Sequence, residues 1–262
     1  MKKFLAALVS LAVIMVSFPL AVLADSTVDV GSWDELKAAI ENAGDGGSAT
    51  ISLTADCKSS NDEADELLIH DNRNITILLN GHNLTRRAAG FCEWGRVIDI
   101  HSGSSLTLIG DPVSRGSILG GQCTKDGGGI SNYGTLTLQD CIIDSNYTRG
   151  NGGGVYCAPG SNINVQGYVN INGNSSKDGD NSVDNNLYLD GWVSITVTGP
   201  LDPTSVIKVS GSNLERFITN NWSNSGITDQ DTIGKLVKYD DGNRAALYGS
   251  GELGLKVYYM HR

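Results

Sequence analysis

Twice in this sequence the same phrase is spelled out. Gly127-Gly128-Gly129-Ile130 leads into Thr135-Leu136-Thr137-Leu138 and then into Ile143-Asp144-Ser145-Asn146. Gly152-Gly153-Gly154-Val155 leads into Asn162-Ile163-Asn164-Val165 and then into Ile171-Asn172-Gly173-Asn174. Self-similarity at this period means stacked units, none of which buries its apolar face alone. The phrase constrains the fold far more than the function, because a stacked scaffold hosts many activities.

Around it, short alternating stretches fall into columns. One holds Ile69, Ile100, Ile130 and Val155, continued by Leu189. A second holds Ile51, Ile75, Leu106, Leu136, Ile163 and Ile195, and two residues further on Leu53, Ile77, Leu108, Leu138, Val165 and Val197. A looser third holds Ile118, Ile142, Val169 and Ile207. Three short strands in the same order every 24–32 residues predict an all-β fold, a right-handed parallel β-helix. It is a solenoid of about six three-strand coils, paired at roughly 4.8 Å. Turn asparagines such as Asn146 and Asn174 are expected to stack inward and satisfy buried backbone groups.

One segment is helical. Ser32-Trp33-Asp34-Glu35 is a capping box, Leu36, Ala39, Ile40 and Ala43 share a face, and Gly44 stops the helix. An open solenoid end exposes core and strand edges, so this short N-terminal capping α-helix is expected to cover the first coil. The expected division is a leader at 1–24, the capping helix and first strand at 25–55, coils at 56–212 and a C-terminal capping segment at 213–262.

The leader is argued from Lys2 and Lys3, the apolar run from Phe4 to Leu23, and Val22-Leu23-Ala24 before Asp25. It predicts an extracellular or cell-surface location through the secretory route, with an uncleaved membrane anchor as the alternative. No transmembrane segment is expected after its removal. The net charge of −10, made more negative by loss of the two lysines, argues against nucleic acid and anionic membranes as partners. With 18% charged residues and 33 glycines the composition suits many tight turns.

The repeated phrase resembles the repeats of polymorphic outer-membrane proteins and related bacterial surface adhesins. Those carry Gly-Gly-Ala/Gly-Ile and Phe-x-x-Asn elements on a parallel β-helix. The match covers residues 96–175 well and the flanking coils loosely, with Ile143 and Ile171 in place of the usual Phe. No translocating barrel or wall-anchoring motif is visible. The resemblance implies a secreted adhesin-like β-helix that engages a surface glycan or a host or cell-surface protein. It carries over no catalytic residue and no cofactor.

Chemistry is sought among outward residues. His70 and His101 share the ladder's step of 31, with Asp99 two residues from His101. Ser131 and Tyr156 continue that column, and Tyr133 is close. A metal or acid–base site, a sugar-binding surface and a plain solvated face all remain open. Alanine at both histidines is expected to leave stability nearly unchanged. Asp178-Gly179-Asp180 with Asp184 is a candidate Ca²⁺ site, although its spacing is not that of a recognised calcium loop and an acidic turn explains it as simply. Asp62-Glu63-Ala64-Asp65-Glu66 is expected to be a solvated loop. Cys92 and Cys123 share the step of 31 and are either disulfide-bonded or stacked thiols.

The rival class is a polysaccharide lyase or glycosidase. Polygalacturonase-like Asn-Thr-Asp, Gly-His-Gly and Arg-Ile-Lys elements are absent, and the one Asp-Asp is Asp240-Asp241. Outward basic residues are scarce, Arg96 being the nearest. A structural surface spacer is the third reading.

Overall fold

Alternation of small polar and β-branched residues makes strands, and glycine or asparagine every few residues breaks them before they lengthen. The computed structural model describes residues 27–59, 65–86, 95–213, 218–240, 245–247 and 251–255. The expected leader at 1–24 and Cys92 lie outside them. The chain forms a parallel β-solenoid of about six turns.

Each coil lays down strands on three faces. The first face stacks Leu67–Ile69, Ile98–Ile100, Ile130–Asn132, Val155–Cys157 and Leu187–Leu189, all parallel. The second stacks Ser48–Leu53, Asn74–Leu78, Ser105–Ile109, the start of Thr135–Asp144, the start of Asn162–Ile171, and Ile195–Leu201. The third carries Cys57–Lys58, Leu84–Thr85, Ser117–Leu119 and the ends of the two long strands. Its next layer is Val206–Gly211, which pairs onward with Val237–Tyr239. A small sheet of Gln122–Cys123, Tyr147–Thr148 and Ser175–Asp178 stands beside the middle coils.

The aliphatic ladders fill the interior. Ile75, Leu106, Leu136, Ile163 and Ile195 stack as expected, as do Ile77, Leu108, Leu138, Val165 and Val197. All of these are at most 1% exposed, so each contributes about 1.5–3 kcal/mol.

Five registers differ from the expected columns. Ile51 pairs with Ile77, not Ile75. Ile130 lies over Ile98, and the residue over Ile100 is Asn132. Val155 faces Leu187, and Leu189 faces Cys157. On the third face Ile171, not Val169, joins Ile207, and Ile143, not Ile142, joins Ile118 and Ile171. The first four are slips of two residues, which preserve the buried face. The last follows a bulge at Asp140, whose φ is +52°, and which shifts the inward set by one.

The glycine phrase and the Asn that ends it prove to be two halves of one device. Gly127 and Gly152 have φ of +77° and +67°, which starts the turn. A Cβ on Gly129 would stand 2.9 Å from Asn146 Nδ2, and one on Gly154 2.7 Å from Asn174 Nδ2. The third glycine thus leaves room for the asparagine of its own coil. Asn146 donates through Nδ2 to the Ile118 and Asp144 carbonyls and accepts from Gly121 N–H. Its N–H and Nδ2 donate to Asn174 Oδ1 at 3.1 and 2.9 Å. Asn174 donates likewise to Asn186 Oδ1, and Asn186 to the two carboxylate oxygens of Asp240.

Helix α1 (Trp33–Asn42) covers the first coil with Trp33, Leu36, Ala39 and Ile40 buried. Glu35 N–H donates to Ser32 Oγ, and the Glu35 carboxylate accepts from Gly31 N–H, one residue before the expected position. Beyond 212, Thr219–Asn220 still pairs with the second face, and helix α2 (Gln230–Leu236) precedes Val237–Tyr239. Among the described residues no helix is long and apolar enough to cross a membrane.

Candidate functional site

Outward residues of the first face follow its corrected register. Leu68, Asp99, Ser131, Tyr156 and Tyr188 form one column. The register places His70, His101 and Tyr133 in the column beside it. Ser131 and Tyr156 therefore continue from Asp99 and not from the histidines. The two histidines are neighbours as expected, with ring centroids 6.0 Å apart.

They do not act as a pair. Arg73 Nη1 donates to His70 Nε2 at 3.0 Å, and His70 Nδ1 lies 2.6 Å from Asp71 Oδ2. His70 Nε2 also lies 3.4 Å from Glu41 Oε1 of α1. Arg73, itself buried, also bonds Glu41 of α1 at 2.9 Å. His70 thus belongs to the seam that fixes the helix to the coil. His101 is half exposed and 3.9 Å from Asp99 Oδ2.

Asp99 is the centre of the face. Three hollows of about 350, 480 and 420 Å³ all have it in their walls. One lies against α1, one against Thr124, Lys125, Asp126 and Gly150, and one beside His101, Ser102 and Tyr133. Asp99 is 6% exposed; its Oδ2 accepts from Arg96 Nη1 at 2.6 Å, while its Oδ1 has no hydrogen-bond partner among the described residues. Arg96 is buried too, and its charge is held on by Asp99 against the penalty of burial.

Of the expected solvated loop at 62–66, residues 62–64 lie outside the described residues, and Asp65 and Glu66 are buried instead. Asp65 bonds Lys37 at 2.7 Å, and its carbonyl accepts from the Trp33 indole. Glu66 Oε2 has no partner among the described residues, and burial pushes its carboxyl above the ordinary range. Asp65 thus fastens α1, and Glu66 lines the hollow beneath it.

Up the face both columns become aromatic. Tyr133 and Tyr156 have centroids 6.1 Å apart, and Tyr156 and Tyr188 stack at 6.0 Å with planes 21° apart. Tyr156 O–H donates to Asp190 Oδ2 at 2.8 Å. Burial, helped by Asp190, holds the phenols of Tyr156 and Tyr188 in the protonated form. Asp190 is kept ionised chiefly by the Ser212 hydroxyl. Tyr133 is 49% exposed and Trp192 80%. Ser131 and Tyr156 are buried, forming a floor. Tyr188, Asp190, Trp192 and Glu66 escaped the sequence reading. Pairing Val155 with Leu189 had put Asp190, not Tyr188, beside Tyr156.

The remaining candidates stand apart. Asp178 and Asp184 lie at opposite ends of the hairpin formed by Ser175–Asp178 and Asn181–Asp184, with Asp180 in its turn. Asp184 is ion-paired with Lys208 at 2.7 Å. Among the described residues no group of three or more acidic, His or Cys side chains is placed to hold a metal. Cys123 is buried and accepts from Arg96 Nη2 at 3.5 Å.

No known family model, curated protein or solved structure matches the chain.

Proposed function

We propose that this chain is an exported, adhesin-like β-helix protein that binds glycans along its first face. One observation carries the reading: Tyr133 and Tyr188, set on either side of a floor of buried Tyr156 on successive coils, run from Asp99 towards Asp190 and the exposed Trp192. Aromatic faces stack on the C–H side of sugar rings, while flanking carboxylates and phenols take hydroxyl hydrogen bonds. Repetition along a solenoid suits a repeating ligand better than a compact one.

The test is a glycan-array screen of residues 25–262, with and without Ca²⁺ and Zn²⁺. Binding lost in Tyr133→Ala and Trp192→Ala supports the reading. Binding untouched by both changes, or no binding to any glycan, removes it and moves the search to protein partners. A second reading, a glycosidase or lyase, is favoured by Glu66, a buried carboxyl in a hollow it shares with Asp99. New reducing ends or unsaturated products from an array hit establish it.

A further inference from the structure

The second face of the solenoid differs from the other two in presenting no charge. Its central outward column runs Thr50, Thr76, Thr107, Thr137, Asn164 and Thr196, one residue per coil in unbroken parallel register. Two residues earlier on the same strands stand Ser48, Asn74, Ser105, Thr135 and Asn162. Two residues later come Ser52, Leu78, Ile109, Gln139 and Gln166. All are half-buried or exposed, none is charged and none is aromatic. Yet the chain has 29 acidic and 19 basic residues, and a soluble surface ordinarily devotes roughly a quarter to a third of its positions to them. The first face carries Asp99, and the third carries Lys58, Asp144 and Lys208.

The array is also stiff. Threonine is β-branched, which restricts its χ1. Side chains bond along the columns: Ser105 Oγ donates to Asn74 Oδ1 at 2.7 Å, Asn164 Nδ2 to Thr137 Oγ1 at 3.1 Å and Gln166 Nε2 to Gln139 Oε1 at 2.6 Å. Backbone pairing sets the rungs about 4.8 Å apart, and residues two apart on a strand about 6.6–6.8 Å apart. Six rungs make a face about 24 Å long.

A ligand that matches this face is uncharged and periodic in two directions at those spacings. A single glycan chain is periodic in one, and the aromatic platforms on which sugars stack are missing here. Solid water fits both conditions. Oxygen atoms on the prism plane of hexagonal ice recur along and across the surface at nearly these two distances. Fixed hydroxyls at lattice spacing hold water molecules in lattice positions, and the methyl groups between them make no competing hydrogen bonds. A charged side chain would order water around itself instead.

We propose that the second face binds ice, through the threonine column and the hydroxyls and amides that flank it. The site is separate from the tyrosine face and does not depend on the glycan-binding reading.

The test grows ice slowly on a cooled probe in a dilute solution of the purified protein and measures the protein taken into the ice. Nanolitre osmometry measures the gap between melting and freezing, with serum albumin as the excluded control. The expected result is enrichment in the ice and a gap that widens with concentration. Thr107→Lys, which puts a charge in the middle of the face, should abolish both, and Tyr133→Ala on the first face should change neither. Thr76→Tyr, a neutral obstruction one rung away, is the second variant should Thr107→Lys melt early, and it should abolish both as well. Exclusion of the parent from ice, or enrichment that persists in either variant while it remains folded, overturns the inference. Retention on crystalline cellulose or chitin that is lost in the same variants, without enrichment in ice, overturns it too and gives the face to a polysaccharide surface. A dimer broken by Thr107→Lys, again without enrichment, gives the face to a second copy of the chain. Ice enrichment in a protein that binds no glycan upholds the inference and removes only the first-face reading.

Discussion

Glu66 is a carboxyl drawn out of water with one oxygen unanswered, and its protonation is tied to folding. Its folded pKa lies above the unfolded one, so the folded chain holds this proton more tightly. The associated stability is fully present below the unfolded value, about 4.3, and is lost as pH rises through the folded value. Glutamine has no proton to lose. Glu66→Gln should therefore match the parent in acid and gain on it as pH rises from the unfolded value to the folded one, as thermal melts across pH 4–8 will show; a constant gap would mean the group is solvated. The histidines separate in the same way. His101→Ala should stay within about 0.5 kcal/mol of the parent, because the ring is half exposed. His70→Ala should cost about 1 kcal/mol, since it strands one guanidinium N–H of Arg73. Both were expected to be silent from the sequence; the bond to buried Arg73, three residues on, is what should set His70 apart. Denaturant midpoints of the two single variants decide it.

Between strands, the asparagine ladder does for polar groups what the isoleucine ladders do for apolar ones. Asn146→Ala removes the acceptor of Gly121 N–H and the donor to two carbonyls, and should cost about 2–4 kcal/mol. Asp240→Asn should stay within about 1 kcal/mol, because one amide oxygen accepts both bonds at the rungs below. Asp240→Ala should cost more, and urea unfolding of the three variants tests the order. Both asparagines of the repeated phrase were legible in the sequence, since phrase and turn recur together. Asp240 was not, because it belongs to no phrase and arrives from beyond the coils. The strand registers were legible along the second face from Ile75 to Ile195. They slipped where a strand offers two aliphatic residues two apart, as at Ile75 and Ile77 or Leu187 and Leu189, and where a rung is polar. Asn132 is fully buried over Ile100, where Nδ2 donates to the Asn162 carbonyl and Oδ1 accepts from Gly134 N–H. Matching aliphatic to aliphatic steps past such a residue by two. A separate slip, Val155 set against Leu189, hid Tyr188, so the aromatic patch could be seen only from Tyr133 to Tyr156. Glu66 was lost for another reason: a run of acids predicts solvent, and only the docking of α1 takes its last two members out of it.

At the scale of the molecule the two ends of the stack are chemically different. Helix α1 closes the first coil with apolar side chains and the Asp65, Arg73 and Glu41 contacts. The other end closes on Val237–Tyr239 and the Asp240 carboxylate, a side chain that accepts but, when ionised, does not donate. Between them residues 147–174 make one complete turn that starts just after one ladder asparagine, Asn146, and ends at the next, Asn174. A chain with this segment duplicated in tandem should fold, unfold cooperatively at a similar temperature, and be longer by about 4.8 Å in small-angle scattering. Aggregation of that variant would show that the coils are not interchangeable. Since Asp240 is supplied from outside the repeat, in-frame duplication or loss of a coil leaves both seals intact. The number of coils is thus free to drift between generations, and each gain would lengthen the tyrosine track by one whole division, as on a ruler cut from stock of any length.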